Sequence, residues 1–170
     1  MNKKQALYSN LTETAVLIKK ARKKKGITQK ELATQIGSTQ DYIAKIEDGK
    51  RSPSLQTLAA IAIALAVSLD SLWIDTGYFG AAETIRKRTK YNPKISGQLI
   101  HRAVQDALKC DLKDEYKDIK DIVVVGFEIS YNYYLELVRG SKRPSFELLS
   151  RIAVILGVSL DELVFDVANS

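Results

Sequence analysis

The feature that most constrains this chain of 170 residues is an internal repeat. The segment from Gly49 to Leu72 recurs from Gly140 to Leu163, without a gap, at a constant offset of 91 positions. The identical residues are Gly49, Pro53, Ser54, Leu58, Ile61, Ala62, Leu65, Val67, Ser68, Leu69, Asp70 and Leu72, which match Gly140, Pro144, Ser145, Leu149, Ile152, Ala153, Leu156, Val158, Ser159, Leu160, Asp161 and Leu163. So many matches in one register indicate two copies of one small domain.

The first copy contains a short helix whose two ends are visible in the sequence. Thr28 and Glu31 have the spacing of a capping box, which marks a helix start. Apolar residues at Leu32, Ala33 and Ile36 lie on one face of this helix. Gly37 is the predicted end, since glycine accepts the left-handed conformation that closes many helices.

A second short helix follows at once. Either Ser38 or Thr39 can cap its start, Ile43 and Ile46 are spaced to turn inward, and Gly49 is the predicted end. The connection between the two helices is too short for antiparallel packing. This arrangement is typical of a helix-turn-helix.

These residues resemble the helix-turn-helix family of phage repressors and Cro proteins, of the xenobiotic-response-element type. The shared pattern is Thr-Gln-x-Glu-Leu-Ala, Gly, Ile-x-x-Ile-Glu-x-Gly-Lys-x-x-Pro, Leu-x-x-Ile-Ala-x-x-Leu and Val-Ser-Leu-Asp, within residues 14–74. The resemblance implies an all-α fold of two tandem lambda-repressor-like five-helix domains joined by a linker. We predict a DNA-binding domain at residues 1–75, a basic linker at 76–94 and a second, degenerate domain at 95–170 that mediates dimerisation.

Charge is divided unevenly along the chain. Residues 1–94 carry 17 Lys and Arg against 8 Asp and Glu, a net charge of +9, whereas residues 95–170 carry 9 against 12, a net charge of −3. A basic first half favours a polyanion such as double-stranded DNA. The linker cations Arg86, Lys87, Arg88 and Lys90 are either solvated or follow phosphates, and a helical stretch is predicted around residues 81–87.

The second helix of the helix-turn-helix in the first copy is the predicted reader of DNA bases. A helix fits the major groove, where short or amide side chains of its first turn reach base edges. The resemblance implies that Thr39, Gln40, Asp41, Ala44 and Lys45 occupy base-facing positions. Gln40 suits adenine and Lys45 suits guanine, whereas Asp41 either accepts from a cytosine amine or complements the helix dipole.

Contacts to the DNA backbone are predicted around this reader. By resemblance, Gln29 holds a phosphate and supports the reader, and Lys50 and Arg51 lie where the following loop meets phosphates. Such contacts set register, while base-edge contacts set sequence choice. Tyr42 either contacts the sugar-phosphate wall or a thymine methyl group, or packs within the domain.

The second copy departs from the family pattern where DNA is read. In the first copy the resemblance implies that Arg22, on a helix that precedes Thr28, pairs with Glu47 and braces that helix against the reader. The second copy has lost this pair. The substituted positions are Arg22 to Lys113, Thr28 to Ile119, Gln29 to Lys120, Gly37 to Glu128 and Glu47 to Val138. Four β-branched residues, Ile122 to Val125, are predicted to be helical from the repeat register.

The helix equivalent to the reader, Ser130 to Leu137, is rich in aromatic residues. One domain that gains about 1–3 kcal/mol per good base contact cannot select a genomic site alone, so two must act together. The resemblance implies that they do so as a two-fold homodimer. The candidate interface residues are Tyr131, Tyr133, Tyr134 and Leu135. The alternative is that these tyrosines pack inside their own domain.

Other classes of function find little support in the sequence. The only histidine, His101, and the only cysteine, Cys110, belong to no catalytic or metal-binding motif, so no catalytic residue, metal or cofactor is predicted. No signal peptide and no apolar run near the ~20 residues of a membrane span is present. A cytoplasmic, nucleoid-associated protein without a membrane partner is expected.

The leading hypothesis is a sequence-specific DNA-binding transcriptional regulator, a repressor of the kind found on phage, plasmids or other mobile elements. It would bind palindromic operators through its N-terminal helix-turn-helix. Two alternatives stay open: an antitoxin that autoregulates its operon, and a tandem reader with both domains on DNA. Besides a second copy of the chain, an antirepressor or a toxin is an expected protein partner.

Overall fold

The computed structural model describes residues 3–72 and 91–165, with side chains from residue 13 onward. The described residues form helices, turns and loops, and no strand occurs among them, so the all-α prediction is confirmed. The chain separates into two compact units, Met1–Lys87 and Arg88–Ser170. We refer to them as the first unit and the second unit.

The first unit is built from short helices around one apolar core. Its described elements are α1 (Lys3–Lys25), α2 (Gln29–Gln35), α3 (Gln40–Glu47), α4 (Leu55–Leu65) and a single 3-10 turn (Asp70–Leu72). Side chains that are almost fully buried come from every one of these elements and include Ile18, Leu32, Ile43, Ile46, Leu58, Ile61 and Leu72. The predicted fifth helix, residues 69–74, is described only as far as this turn.

Side-chain caps begin the two helices of the helix-turn-helix. The Thr28 hydroxyl accepts from the Glu31 amide at 3.1 Å, and the Glu31 carboxylate accepts from the Thr28 amide at 2.7 Å, which completes the predicted capping box. Thr39, and not Ser38, caps α3, because its hydroxyl accepts from the Tyr42 amide at 3.2 Å.

The second unit repeats this order of elements. It contains α5 (Pro93–Lys109), α6 (Ile119–Asp121) continued by a π-helical turn (Ile122–Gly126), α7 (Tyr131–Arg139), α8 (Phe146–Leu156) and α9 (Leu160–Val164). Both ends of α8 lie 91 residues after those of α4, and α7 begins 91 residues after α3. The helical prediction for Ile122 to Val125 is therefore confirmed.

The first helix of the second unit begins within the predicted linker. The Asn92 side chain accepts from the Lys94 amide at 3.0 Å and caps α5, and Pro93 is the first helical residue. Proline is favoured at this position because it needs no hydrogen bond there, so it starts a helix here instead of interrupting one. The predicted boundary at residue 95 falls inside the first turn of α5. The cations of the linker and its predicted helical stretch lie outside the described residues.

The two units also differ where the first helix ends. In the repeat register α1 extends to Lys25, whereas α5 already ends at Lys109, which corresponds to Ile18. Lys113, the equivalent of Arg22, consequently lies in the turn region after the helix. Among the helices described, none combines the length and apolar character that crossing a bilayer requires.

Candidate nucleic-acid interface

A buried ion pair connects α1 to the end of α3. Arg22 Nε donates to Glu47 Oε1 at 2.6 Å, and Nη2 donates to Glu47 Oε2 at 2.8 Å. Arg22 Nη1 donates to the Ile27 carbonyl at 2.8 Å, so the guanidinium also holds the turn before α2. The Glu47 side chain has no exposed surface. The geometry is that of a bidentate brace, which fixes the orientation of α3 in the first unit.

Gln29 adds α2 to this brace. Its Nε2 donates to Glu47 Oε2 at 2.9 Å, and the residue is partly exposed. Burial alone would raise the pKa of Glu47, but the hydrogen bonds from Arg22 and Gln29 and the charges of Arg22 and Lys19 lower it below its ordinary value. Glu47 is thus ionised at neutral pH, and one carboxylate ties together three helices.

The face of α3 opposite the core is polar and open. Ile43, Ile46 and Glu47 are buried, whereas Gln40, Asp41 and Lys45 are exposed. Thr39, at the cap, is also exposed, and Ala44 is half-buried. The structure therefore brings the predicted base-facing residues together on one side of one helix.

Two ion pairs flank this face. Lys45 Nζ lies 2.7 Å from Asp41 Oδ2, one helical turn away, and Lys50 Nζ lies 3.2 Å from Asp48 Oδ2, beyond the end of α3. All four side chains are largely exposed. Sequence reasoning missed the first pair, although its spacing of four residues is the usual signal for such a contact on a helix.

The structure gives Tyr42 a specific neighbour. The Arg51 guanidinium carbon lies 5.0 Å from the centre of the Tyr42 ring, within the range of a cation-π contact. Tyr42 is half-buried and Arg51 is exposed. The ring thus restrains an arginine at the C-terminal side of α3, next to Lys50, and the loop presents both cations to solvent.

Comparison with known families agrees with this geometry. The family described as helix-turn-helix matches residues 18–72 and again residues 124–163, together more than half of the chain. The chain belongs to the helix-turn-helix family. The first match spans the whole brace and the reader, and the second spans α7, α8 and most of α9.

Individual relatives of this helix-turn-helix protein come from phages and bacteria. The "ImmF control region 10 kDa protein" of Bacillus phage phi105 is 37% identical over 79 residues, which cover 42% of this chain and 88% of the relative. The SPbeta prophage-derived HTH-type transcriptional regulator YonR of Bacillus subtilis is 29% identical over 102 residues, 59% of this chain and 94% of the relative. An HTH-type transcriptional regulator of Sinorhizobium fredii is 43% identical over 47 residues, 28% of this chain and 61% of the relative. No solved structure gives a significant match.

Family and relatives together support a DNA-binding transcriptional regulator. Within the described residues, no group of His, Cys, Asp and Glu is arranged to hold a metal ion. Cys110 is exposed, and His101 contacts a tyrosine.

The second helix-turn-helix corrects one predicted interface residue. Tyr134 has no exposed surface, and its hydroxyl lies 2.7 Å from His101 Nδ1 on α5. Burial, with a smaller effect of Tyr131, raises the pKa of the Tyr134 phenol. In the repeat register Tyr134 corresponds to the buried Ile43, so it belongs to the core of its own unit and is removed from the candidate dimer contacts.

The other candidate contacts remain accessible. Tyr131, Tyr133 and Leu135 are each partly exposed. The Tyr131 ring stacks on Tyr134 at a centroid distance of 5.9 Å, and the Tyr133 hydroxyl donates to the Arg143 carbonyl at 3.4 Å. Their rings are therefore held in defined orientations at the edge of the unit.

The second unit packs its reader-like helix unusually close to α5. A Cβ atom added to Gly97 would lie 2.0 Å from the Leu137 carbonyl oxygen, and one added to Gly140 would lie 2.6 Å from the Lys94 Cα. Gly49, which corresponds to Gly140, has no atom within 4 Å of such a position. Sequence reasoning missed this approach, although a glycine near a helical pattern can mark close packing of another backbone.

A non-glycine residue occupies the turn before α7. Glu128 stands at the register position of Gly37 and has a φ of +55°, compared with +67° for the glycine. Its carboxylate accepts from Arg151 Nη1 at 2.9 Å, and the same nitrogen donates to the Phe127 carbonyl at 3.2 Å. Arg151 on α8 thus supports a turn that costs backbone strain at a residue other than glycine.

Proposed function

We propose that the protein is a repressor that binds two-fold symmetric operators as a homodimer, with α3 of each chain in the major groove. The observation that carries this proposal is the brace of Glu47 by Arg22 and Gln29 beneath an exposed polar face of α3. A reader must be held rigidly by its own domain, because a base contact gains energy only at a defined distance and angle. The contacts around Glu47 supply that rigidity.

We assign base contacts to the exposed side chains of α3 and phosphate contacts to its surroundings. Gln40 can form a bidentate contact with adenine, and Lys45 can donate to guanine acceptors. Lys50 and Arg51 supply sequence-independent attraction, and Arg51 is oriented by Tyr42. Gln29 keeps one amide hydrogen besides the one given to Glu47, and this hydrogen is available to a phosphate.

The names of two relatives favour a regulator carried by a mobile element. One is described as part of a control region of a Bacillus phage, and the other as prophage-derived. A protein that occupies an operator can exclude the transcription machinery from the DNA beneath it, and on this ground we assign repression to this chain.

The second unit is assigned to dimerisation, and not to a second DNA contact. In the repeat register Lys45 becomes Glu136 and Lys50 becomes Ser141, so neither lysine of the first unit is kept, whereas Arg139 and Arg143 replace Asp48 and Ser52 and move the cations to the C-terminal side of α7. Tyr131 and Leu135 stand at the positions of Gln40 and Ala44. Partly exposed aromatic and apolar side chains of this kind are favoured in protein interfaces.

Selection of bound sequences from random duplex DNA by the purified full-length chain tests the proposal. The expected result is a two-fold symmetric site whose half-sites lie about one helical turn apart, 10–10.5 base pairs. Enrichment of a single asymmetric site of twice the half-site length would support a tandem reader instead. Failure to enrich any sequence would contradict the proposal.

Sedimentation of the full-length chain tests the dimer. Leu135→Asp places a charge in the proposed interface and is expected to shift the protein towards a monomer. Val154→Asp is the matched control, because Val154 is 73% exposed on α8 and lies outside the proposed contacts. A monomeric wild-type chain at high micromolar concentration, or equal effects of both variants, would contradict the assignment.

A further inference from the structure

Two opposite charges occupy neighbouring base-facing positions of α3 and contact each other. Lys45 Nζ lies 2.7 Å from Asp41 Oδ2, and the two side chains are 50% and 73% exposed. A spacing of four residues places both on the same side of the helix. Lys45 and Asp41 therefore form an ion pair in the DNA-free protein.

This pair leaves the outer face of α3 without an excess of positive charge. The remaining acidic residue of the helix, Glu47, is buried and neutralised by Arg22. Attraction to phosphates must then come from cations outside the helix, such as Lys50 and Arg51. The surface that meets the bases is electrically balanced.

In a major groove the two charges respond differently to sequence. An unrestrained lysine gains from almost any phosphate or purine acceptor, so it strengthens binding with little selectivity. A carboxylate is repelled by the phosphates on both sides and gains only where a base presents an amino group, on cytosine or adenine. Breaking the contact between Lys45 and Asp41 is favourable only at a site that offers a hydrogen-bond acceptor to Lys45 and a hydrogen-bond donor to Asp41.

We infer that Asp41 is a specificity-determining residue, which restrains Lys45 and penalises every site that lacks a base amino group within its reach. The inference rests on the proposed insertion of α3 into the major groove. Beyond that proposal, Asp41 lowers the affinity for DNA of the wrong sequence, and attractive contacts alone do not have this effect.

Asp41→Ala tests this role in the full-length chain, with Asp48→Ala as the matched control. Both variants remove one carboxylate that pairs with a lysine, but Asp48 follows the end of α3. Asp41→Ala is expected to lose the base preference at one position of each half-site and to bind random duplex about fivefold more tightly. Asp48→Ala is expected to gain similarly on all duplexes and to keep the whole preference. Circular dichroism verifies that each variant is folded.

Three outcomes would overturn the inference: an unchanged preference at every position in Asp41→Ala, weaker binding of that variant to random duplex, or the same loss of preference in Asp48→Ala. Asp41→Asn keeps the shape of the side chain and removes its charge, and it is expected to bind random duplex as tightly as Asp41→Ala. If the wild-type chain itself enriches no sequence, the proposed function fails. If it enriches a site that Asp41→Ala reads identically, only this inference fails.

Discussion

Ala66 and Gly157 end corresponding helices in the same left-handed conformation, 91 residues apart. Ala66 closes α4 with a φ of +57°, and Gly157 closes α8 with a φ of +65°. A Cβ at Gly157 would meet no atom within 4 Å, and Ala66 is exposed. The two sites therefore differ in backbone preference and hardly at all in packing.

Exchanging these two residues should change stability in opposite directions. Left-handed backbone costs an alanine about 1 kcal/mol more than a glycine. We expect Ala66→Gly to raise the free energy of unfolding of the first unit by about this amount, and Gly157→Ala to lower that of the second unit equally. Urea unfolding followed by circular dichroism measures both. A loss of stability in Ala66→Gly would show that unfolded-state entropy outweighs the backbone strain.

Removing one partner of the pair between Arg22 and Glu47 should destabilise the first unit more than removing both. Arg22→Ala leaves the Glu47 carboxylate buried without its cation, for which a loss of about 3–5 kcal/mol is expected. Replacing both residues, as Arg22→Met with Glu47→Leu, removes the uncompensated charge and should restore most of this loss. Val138 in the second unit already places an apolar residue at the position of Glu47.

Urea unfolding of the single and double variants separates the two contributions. If Arg22→Ala lost less than about 1 kcal/mol, the pair would behave like an exposed ion pair, contrary to its burial.

The Glu47 carboxylate should make the free energy of unfolding depend on pH in the acidic range. The pKa of Glu47 in the folded protein lies below its ordinary value of 4.5, so the unfolded chain takes up this proton first as the pH falls. Its contribution is fully present above about pH 4.5 and is lost as the pH falls through the lowered pKa. Glu47→Gln should therefore show a shallower decrease in unfolding free energy between about pH 5 and 3. Equal slopes for the variant and the wild type would refute the assignment.

A base contact and a phosphate contact should be distinguishable by their response to sequence. Gln40→Ala is expected to reduce affinity for the selected operator by about 1–3 kcal/mol and to leave binding to random duplex nearly unchanged, because a bidentate contact between an amide and an adenine edge depends on the sequence. Fluorescence titration with both duplexes measures the difference. An equal loss on both would show that Gln40 does not read bases.

Lys50→Ala is the matched comparison on the phosphate side. It should weaken binding to every duplex alike and reduce the slope of log affinity against log salt by about one unit. A sequence-selective loss would instead place Lys50 at a base edge.

The helical plan could be predicted because its signals are local. The capping box of Thr28 and Glu31 and the glycine at residue 49 act within one turn of chain, and the structure places helix ends beside each of them. The repeat then transferred the same plan to the second unit. Pro93 shows the limit of such signals, because proline occurs both in linkers and at the first position of a helix.

The sequence alone therefore determined two copies of one fold, their register and the position of the helix-turn-helix, since these depend on residues a few positions apart. Only the tertiary structure decided that Gln29 of α2 joins the pair of Arg22 and Glu47, that Tyr134 belongs to the core, and that Gly97 allows α5 and α7 to approach each other. These relationships depend on the distance between helices that are remote in the chain. That distance is set by the packing of whole side-chain surfaces, which no single residue specifies.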